Sequence, residues 1–215
     1  MNDTYINEQL YQFIGNYNAM IFPIQFLFLF LFIISILFLH SKSDYKDQMI
    51  IDVLGFTWIW AGFVYYILSF AIVNRFAAYA FGAVFILQGI FFFVELTRKK
   101  LQFSLKRSLQ GYIAYFFIVY GLIIYPAVSL FYVDSFNETI SLTLPGPTVI
   151  ITFGFLMLTT PNFPRYLLIL PSVWSVMGVG LALNYGFYQY YLVLLAAIVA
   201  NVYLMRRRNE GGFKG

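Results

Sequence analysis

The residues of this chain that could take part in chemistry are few, and they form no catalytic set. Cysteine is absent and His40 is the single histidine, so thiolate chemistry and imidazole clusters are excluded. The sequence contains no glycine-rich phosphate-binding loop, and Asp52 and Glu95 fall in separate segments. We therefore expect a protein that is not an enzyme and that holds neither a metal nor a cofactor.

Neutral polar side chains inside long apolar segments are the remaining candidates for a functional site. Each of them allows two interpretations, hydrogen bonding between helices or the lining of a path for a neutral or weakly polar solute. Gln88 is the strongest candidate for the second, because it falls near the middle of its segment. The predicted path consists of Gln88, Tyr65, Tyr125, Thr148 and Thr152.

These candidates lie in a very apolar chain. Of its 215 residues, 61% are hydrophobic and 10% are charged, and the mean hydropathy is +0.79. A soluble domain has about 25% charged residues, so this chain has too few to cover a surface that faces water. Soluble enzymes and disordered proteins are excluded, and an integral membrane protein surrounded by lipid is predicted.

The apolar segments predict seven membrane helices in one domain over residues 1–215. A spanning helix needs about 20 mostly apolar residues, and six segments meet that length: 20–39, 53–73, 76–95, 111–133, 166–183 and 187–205. The segment 147–160 is shorter, about 21 Å at 1.5 Å per residue. The predicted fold class is an all-α bundle of seven transmembrane helices.

The positions of the basic residues decide whether the short segment crosses. Lys and Arg accumulate in cytoplasmic loops. With seven crossings and an external N-terminus, 12 of the 13 basic residues lie inside and Arg75 lies outside. If the short segment did not cross, the division would be seven against six. The charge distribution therefore predicts seven crossings, with the N-terminus outside and the C-terminus inside.

The basic residues also bear on partners. The pI of about 9.2 comes from residues in the predicted inner loops, so it does not indicate nucleic acid. The loop 98–107 could contact anionic lipid head groups or could serve only to set the topology, and both interpretations remain open. Asp52, Glu95 and His40 fall at predicted cytoplasmic helix ends, where we expect water to reach them.

Prolines interrupt several of the predicted helices. Pro23, Pro126 and Pro171 each remove a backbone hydrogen bond and favour a kink. The sequence 144–148 ends one helix and starts another at Pro147, since proline suits the first helical position. We expect the amides after Pro147 and the hydroxyls of Thr148 and Thr152 to face a cavity that opens outward. Packing of an external loop is the alternative.

Aromatic and glycine patterns resemble those of a bacterial membrane-protein family catalogued as domain of unknown function 6064. The matching stretches are 58–66, 77–82, 87–89, Tyr17-Asn18 before Pro23, Tyr125-Pro126, and Pro147-Thr148 leading to 152–154. The resemblance covers nearly the whole chain. It implies a multi-pass protein of the bacterial inner membrane and supplies no established activity or substrate.

Three functions remain open from the sequence, the third of which is a membrane enzyme that acts on lipid. The first is a small permease or channel-like carrier for a neutral or weakly polar solute. The second is a scaffold or accessory subunit without transport activity, which would pack against a partner protein or a second copy. The small residues Ala196 and Ala200 lie four apart in the last helix, as in helix-packing faces.

Single cysteines introduced into this cysteine-free chain test the topology. Cysteines at Ser104, Asn137 and Gly212 should differ in their reaction with an impermeant thiol reagent added outside cells. We expect only the cysteine at position 137 to react, because the other two lie on the predicted inner side. Labelling at position 212 from outside would contradict seven crossings.

Overall fold

The computed structural model describes residues 2–131, 133, 135–160 and 163–211, and the side chains of 2–8, 185 and 206–211 are outside it. Lys214 and the side chains of residues 206–208, which the charge argument counts as inside, therefore lie outside the described residues. The described part of the chain is all-α, as predicted, apart from one isolated β-bridge between Phe103 and Thr159.

The helices follow one another with short connections. In chain order they are α1 Asn2–Ile21, α2 Ile24–His40, α3 Lys46–Trp60, α4 Arg75–Arg98, α5 Leu109–Val119, α6 Tyr125–Ser129, α7 Pro145–Met157, α8 Ile169–Tyr185 and α9 Gln189–Gly211. Two π-helical segments, Ala61–Ser69 and Tyr120–Ile124, extend α3 and join α5 to α6. A 3₁₀ turn, Arg165–Leu168, leads into α8.

Four continuous helical stretches are long and apolar enough to span a membrane. They are Lys46–Ile72, Arg75–Arg98, Leu109–Ser129 and Arg165–Asn184. A fifth candidate is the bent pair Gln9–Ile21 and Ile24–His40, while Pro145–Met157 and Gln189–Met205 are shorter apolar helices. By length and composition the chain is a multi-pass integral membrane protein.

The N-terminal region differs from the sequence prediction. The helix predicted over residues 20–39 begins at Ile24, since α1 ends at Ile21 and α2 lies at 79° to it. The preceding polar region forms α1, whose Ile14, Tyr17 and Ile21 are buried against the rest of the molecule. α1 is therefore part of the packed structure.

α7 lies at the centre of the bundle. Every one of its residues from Pro145 to Met157 is buried, and it packs against α3, α5, α8 and α9. It runs antiparallel to α5, since Gly121 faces Ile151 whereas Gly154 lies against Ala114 and Ile118. Its 13 residues correspond to a length of about 20 Å.

The N-terminal end of α7 is built so that few backbone donors need a partner. The first N–H groups of a helix have no acceptor within the helix. α7 begins at Pro145 rather than at Pro147, and neither proline has an N–H to satisfy. The amide of Thr148, which follows Pro147, donates to the carbonyl of Leu144 at 3.2 Å.

The C-terminal end of α7 receives hydrogen bonds from the loop before α5 and from α5 itself. Lys106 Nζ donates to the carbonyls of Met157 and Thr159 at 2.8 and 2.6 Å. Gln110 Nε2 also donates to Met157 O, at 2.6 Å. A cation at the C-terminus of a helix is favoured by the helix dipole. Lys106 therefore neutralises the end of a buried helix and is not free to bind lipid head groups.

Two pairs of glycines bring α3 and α4 into backbone contact. A Cβ on Gly62 would lie 2.7 Å from the carbonyl oxygen of Gly82, and a Cβ on Gly89 would lie 2.7 Å from that of Gly55. No real Cβ tolerates such a distance from a backbone oxygen. The close approach positions the π-helical extension of α3 against α4.

Replacement of the cation at the end of α7 should destabilise the protein. Lys106→Met keeps the aliphatic stem but leaves the carbonyl of Thr159 without this donor, which we expect to cost about 1–3 kcal/mol. The measurement is thermal unfolding in detergent, followed by circular dichroism. Lys100→Met, at an exposed position of the same loop, is the control and should change little. Equal unfolding temperatures for the two variants would contradict this role for Lys106.

Candidate functional site

An aromatic cavity of about 280 Å³ lies between the turn after α3 and the turn between α8 and α9. It is bounded by α1, the π-helical segment, α4, the residues that start α7, α8 and the beginning of α9. Its aromatic lining includes Phe13, Tyr65, Tyr66, Phe81, Trp174 and Tyr190. None of the described residues that line it carries a charge, so it suits a neutral or weakly polar molecule.

Local backbone structure positions the aromatic side chains of this cavity. Tyr65 and Tyr66 lie in the π-helical segment, whose wider turns place two successive tyrosines at the cavity. The ring of Tyr66 packs edge-on against that of Trp174 with a centroid distance of 5.8 Å. Phe13 from α1 packs edge-on against Tyr65 at 5.9 Å. α1 therefore covers one side of the cavity.

The indole N–H of Trp174 is the polar group of most interest here. Trp174 lines the cavity and is 4% exposed, and its Nε1 has no hydrogen-bond partner among the described residues. An indole N–H can only donate, and a buried donor without an acceptor is costly. A ligand in this cavity that offers an oxygen or nitrogen acceptor would satisfy it.

The predicted path residues do not gather in the aromatic cavity. Tyr65 lines it, whereas Gln88, Tyr125, Thr148 and Thr152 are absent from its described lining. Tyr125 is fully buried next to it, with its hydroxyl against Gly146 and its ring 6.4 Å from that of Tyr190. The continuous path through all five residues stays a prediction.

The two threonines of α7 are bonded inside the bundle. Trp58 Nε1 donates to Thr152 Oγ1 at 2.8 Å, and Thr152 Oγ1 donates to the carbonyl of Thr148 at 2.8 Å. Thr148 Oγ1 donates to the carbonyl of Leu144 at 2.9 Å. Both residues are at most 1% exposed. This burial and these hydrogen bonds contradict the expectation that the two hydroxyls face an outward cavity, whereas Leu144 and Pro145 before them line the aromatic cavity.

Gln88 restores a hydrogen bond that a proline removes. Pro171 has no N–H, so the carbonyl of Leu167, four residues earlier, has no helical donor. Gln88 Nε2 donates to this carbonyl at 3.1 Å. Its Oε1 has no partner among the described residues. The position of Gln88 is thus explained by backbone repair between α4 and α8.

Glu95 differs from its sequence interpretation. It is fully buried, so the expectation that water reaches it is wrong. Tyr166, in the 3₁₀ turn before α8, donates its hydroxyl to Glu95 Oε1, and Arg98 Nη1 lies 3.9 Å from the same oxygen. Among the described residues, no group of three or more His, Asp and Glu is placed to hold a metal.

The contribution of α1 to the cavity was not predicted, although the spacing of its apolar residues indicates an amphipathic helix. Its apolar and aromatic residues recur at 10, 13, 14, 17 and 21, the spacing of one helical face. Leu10, Phe13 and Ile14 from this face line the cavity. The polar residues between them lower the mean hydropathy, which conceals the amphipathic pattern.

The chain belongs to the family of unknown function DUF6064, whose model matches residues 7–214. This match confirms the resemblance seen in the aromatic and glycine patterns. No curated protein and no solved structure matches the chain. The family carries no established activity, so the function has to be argued from the geometry above.

Removal of the threonine hydroxyl that accepts from Trp58 should destabilise the bundle. Thr152→Val is nearly isosteric and leaves a buried indole N–H without an acceptor, at a cost of about 1–3 kcal/mol. Thermal unfolding in lipid-free detergent measures this loss. Thr139→Val is the matched control, because the buried Thr139 hydroxyl has no partner among the described residues. A cysteine at position 152 that reacts with an impermeant reagent would contradict the dry packing.

Proposed function

We propose that this protein is a small carrier that binds a neutral or weakly polar solute in the aromatic cavity. The observation that carries the proposal is the buried N–H of Trp174, without a partner among the described residues, in a cavity lined by aromatic rings. Mostly apolar walls with a few polar groups that fix orientation are typical of small-molecule sites.

The lining restricts the class of solute. Charged solutes lack an opposite charge among the described lining residues, while planar or ring-shaped solutes can stack on the aromatic side chains. A hydrogen-bond acceptor is required opposite Trp174. We therefore propose a small neutral ring compound with a carbonyl or comparable acceptor.

Contacts between loops at the opposite end of the bundle support a carrier rather than an open channel. The loop that contains Phe103 and Lys106 pairs with the residues after α7, through the Phe103–Thr159 bridge and the Lys106 hydrogen bonds. In this conformation the aromatic cavity lies at the other end. The bend at Pro23 and the two π-helical segments are the proposed moving parts.

We further propose seven crossings, an external N-terminus and location in a bacterial inner membrane. Support comes from α7, which runs antiparallel to α5. Ile151 of α7 lies beside Gly121, and the carbonyl of Met157 at the end of α7 lies beside Gln110 near the start of α5. The division of 12 basic residues against one supports the same orientation. The aromatic cavity then faces outward.

The small-residue face that favoured the scaffold alternative is explained by packing within the chain. Ala196 and Ala200 are fully buried within the chain, where α9 packs against α7 and α8. This small-residue face is therefore occupied internally and is not presented to a partner.

Transport by reconstituted protein tests the proposal. Proteoliposomes would be assayed for uptake of radiolabelled uracil, nicotinamide and glucose, three neutral ring compounds with acceptor oxygens. We expect uptake of at least one probe above that of protein-free liposomes. Trp174→Phe should reduce this uptake about fivefold or more, since one hydrogen bond of about 1 kcal/mol is lost.

The control variant is Trp60→Phe. Trp60 Nε1 donates to the hydroxyl of Tyr17 at 3.2 Å, and Trp60 does not line the described cavity. Its uptake should match that of the unmodified protein. Absence of uptake for every probe, or an equal loss in both variants, would overturn the proposal and favour a role without transport.

A further inference from the structure

A second cavity, of about 600 Å³, shares no described lining residue with the aromatic cavity. It is a groove between the bend that joins α1 to α2, the start of α6 and the segment from Phe136 to Leu142. None of the functions discussed above uses it. We call it the amide groove, after Asn18 and Gln25, which line it.

Three side-chain oxygens of the amide groove have no hydrogen-bond partner among the described residues. They are Asn18 Oδ1, Gln25 Oε1 and Thr139 Oγ1. Asn18 is 4% exposed and Thr139 is 8% exposed, so bulk water does not solvate these oxygens freely. Such a concentration of unpaired oxygens in one groove is unexpected in a packed protein.

The orientation of both amides follows from their other hydrogen bonds. Asn18 Nδ2 donates to the carbonyls of Asn137 and Thr139, each at 2.7 Å. Gln25 Nε2 donates to the carbonyl of Asn18 at 3.1 Å. A flipped amide would place oxygen against carbonyl oxygen in each case. The free amide oxygens of Asn18 and Gln25 are therefore acceptors, and a ligand must bring donors to them, while the Thr139 hydroxyl can accept as well as donate.

The outer wall of the amide groove is apolar and faces away from the bundle. Phe22 and Phe26 line it and are 67% and 55% exposed. Exposed apolar side chains of this kind are suited to contact with acyl chains. None of the described lining residues carries a charge, so the groove offers no cation for a phosphate.

We propose that the amide groove binds a membrane lipid whose head group donates hydrogen bonds. The donor group, a hydroxyl or an ammonium, meets the oxygens of Asn18, Gln25 and Thr139, and an acyl chain lies along Phe22 and Phe26. Water alone would satisfy the oxygens but would not cover the phenylalanines. This site is separate from the aromatic cavity and does not depend on a transported solute.

Lipids with and without head-group donors test the proposal. The purified full chain in detergent is titrated with phosphatidylethanolamine, phosphatidylglycerol or phosphatidylcholine of identical acyl chains, and the unfolding temperature is followed. We expect saturable stabilisation by at least one of the first two and none by phosphatidylcholine, which lacks a donor. If only phosphatidylethanolamine raises the unfolding temperature, the head-group donor is the ammonium. If only phosphatidylglycerol raises it, the donor is a hydroxyl.

Charge and position are controlled separately. Phosphatidylmethanol has the charge of phosphatidylglycerol without its hydroxyls, so equal stabilisation by these two lipids would overturn the proposal. Equal effects of all the lipids, or no effect of any, would overturn it as well. Thr139→Val should leave the lipid-free protein stable and weaken the apparent lipid affinity about fivefold, because one hydrogen bond is lost.

A blocking variant locates the site. Ala19 is exposed and lines the amide groove, so Ala19→Trp should fill it and abolish the lipid-dependent stabilisation. Met20→Trp is the matched control, since Met20 is 58% exposed and is not part of the described lining. Stabilisation that persists in Ala19→Trp would place the lipid elsewhere and overturn the assignment.

Discussion

A helix that is buried over its whole length must find hydrogen-bond partners for its ends inside the protein. α7 meets this requirement in two different ways. At its start, Pro145 and Pro147 remove donors that would otherwise be unpaired. At its end, Lys106 and Gln110 reach the last carbonyls. These hydrogen bonds constrain the neighbouring elements, because the loop before α5 must lie against the C-terminal end of α7 for Lys106 and Gln110 to reach its carbonyls.

The same requirement explains much of the polar chemistry inside the bundle. Gln88 donates to a carbonyl that Pro171 leaves free, and the π-helical turn before Pro126 shifts the helix where that residue supplies no N–H. Thr148 donates to a carbonyl at the start of its own helix. Neutral polar residues here serve mainly to complete the backbone. Of the eight buried side-chain atoms without a partner among the described residues, four belong to residues that line the two cavities, namely Asn18, Gln25, Thr139 and Trp174.

Hydropathy and charge predicted the all-α membrane character, since these depend on composition along the chain. The same reasoning could not place Thr152 or Glu95, because burial is decided by residues distant in sequence, namely Trp58 and Tyr166. Tyr65 was identified as a site candidate, while Trp174 was not, since an indole inside an apolar helix looks like packing. α1 was missed because its mean hydropathy is low although its apolar residues share one face.

The shortness of α7 has a consequence for biogenesis. A segment of 13 residues covers about 20 Å, less than the roughly 30 Å of hydrocarbon that an independently inserted helix must cross. We therefore do not expect the translocon to insert α7 into lipid as a separate helix. With the seven crossings proposed above, we expect the insertion of α7 to depend on packing against α5 and α8. Assembly of the centre of this protein is then a late, cooperative step, although its sequence lies in the middle of the nascent chain.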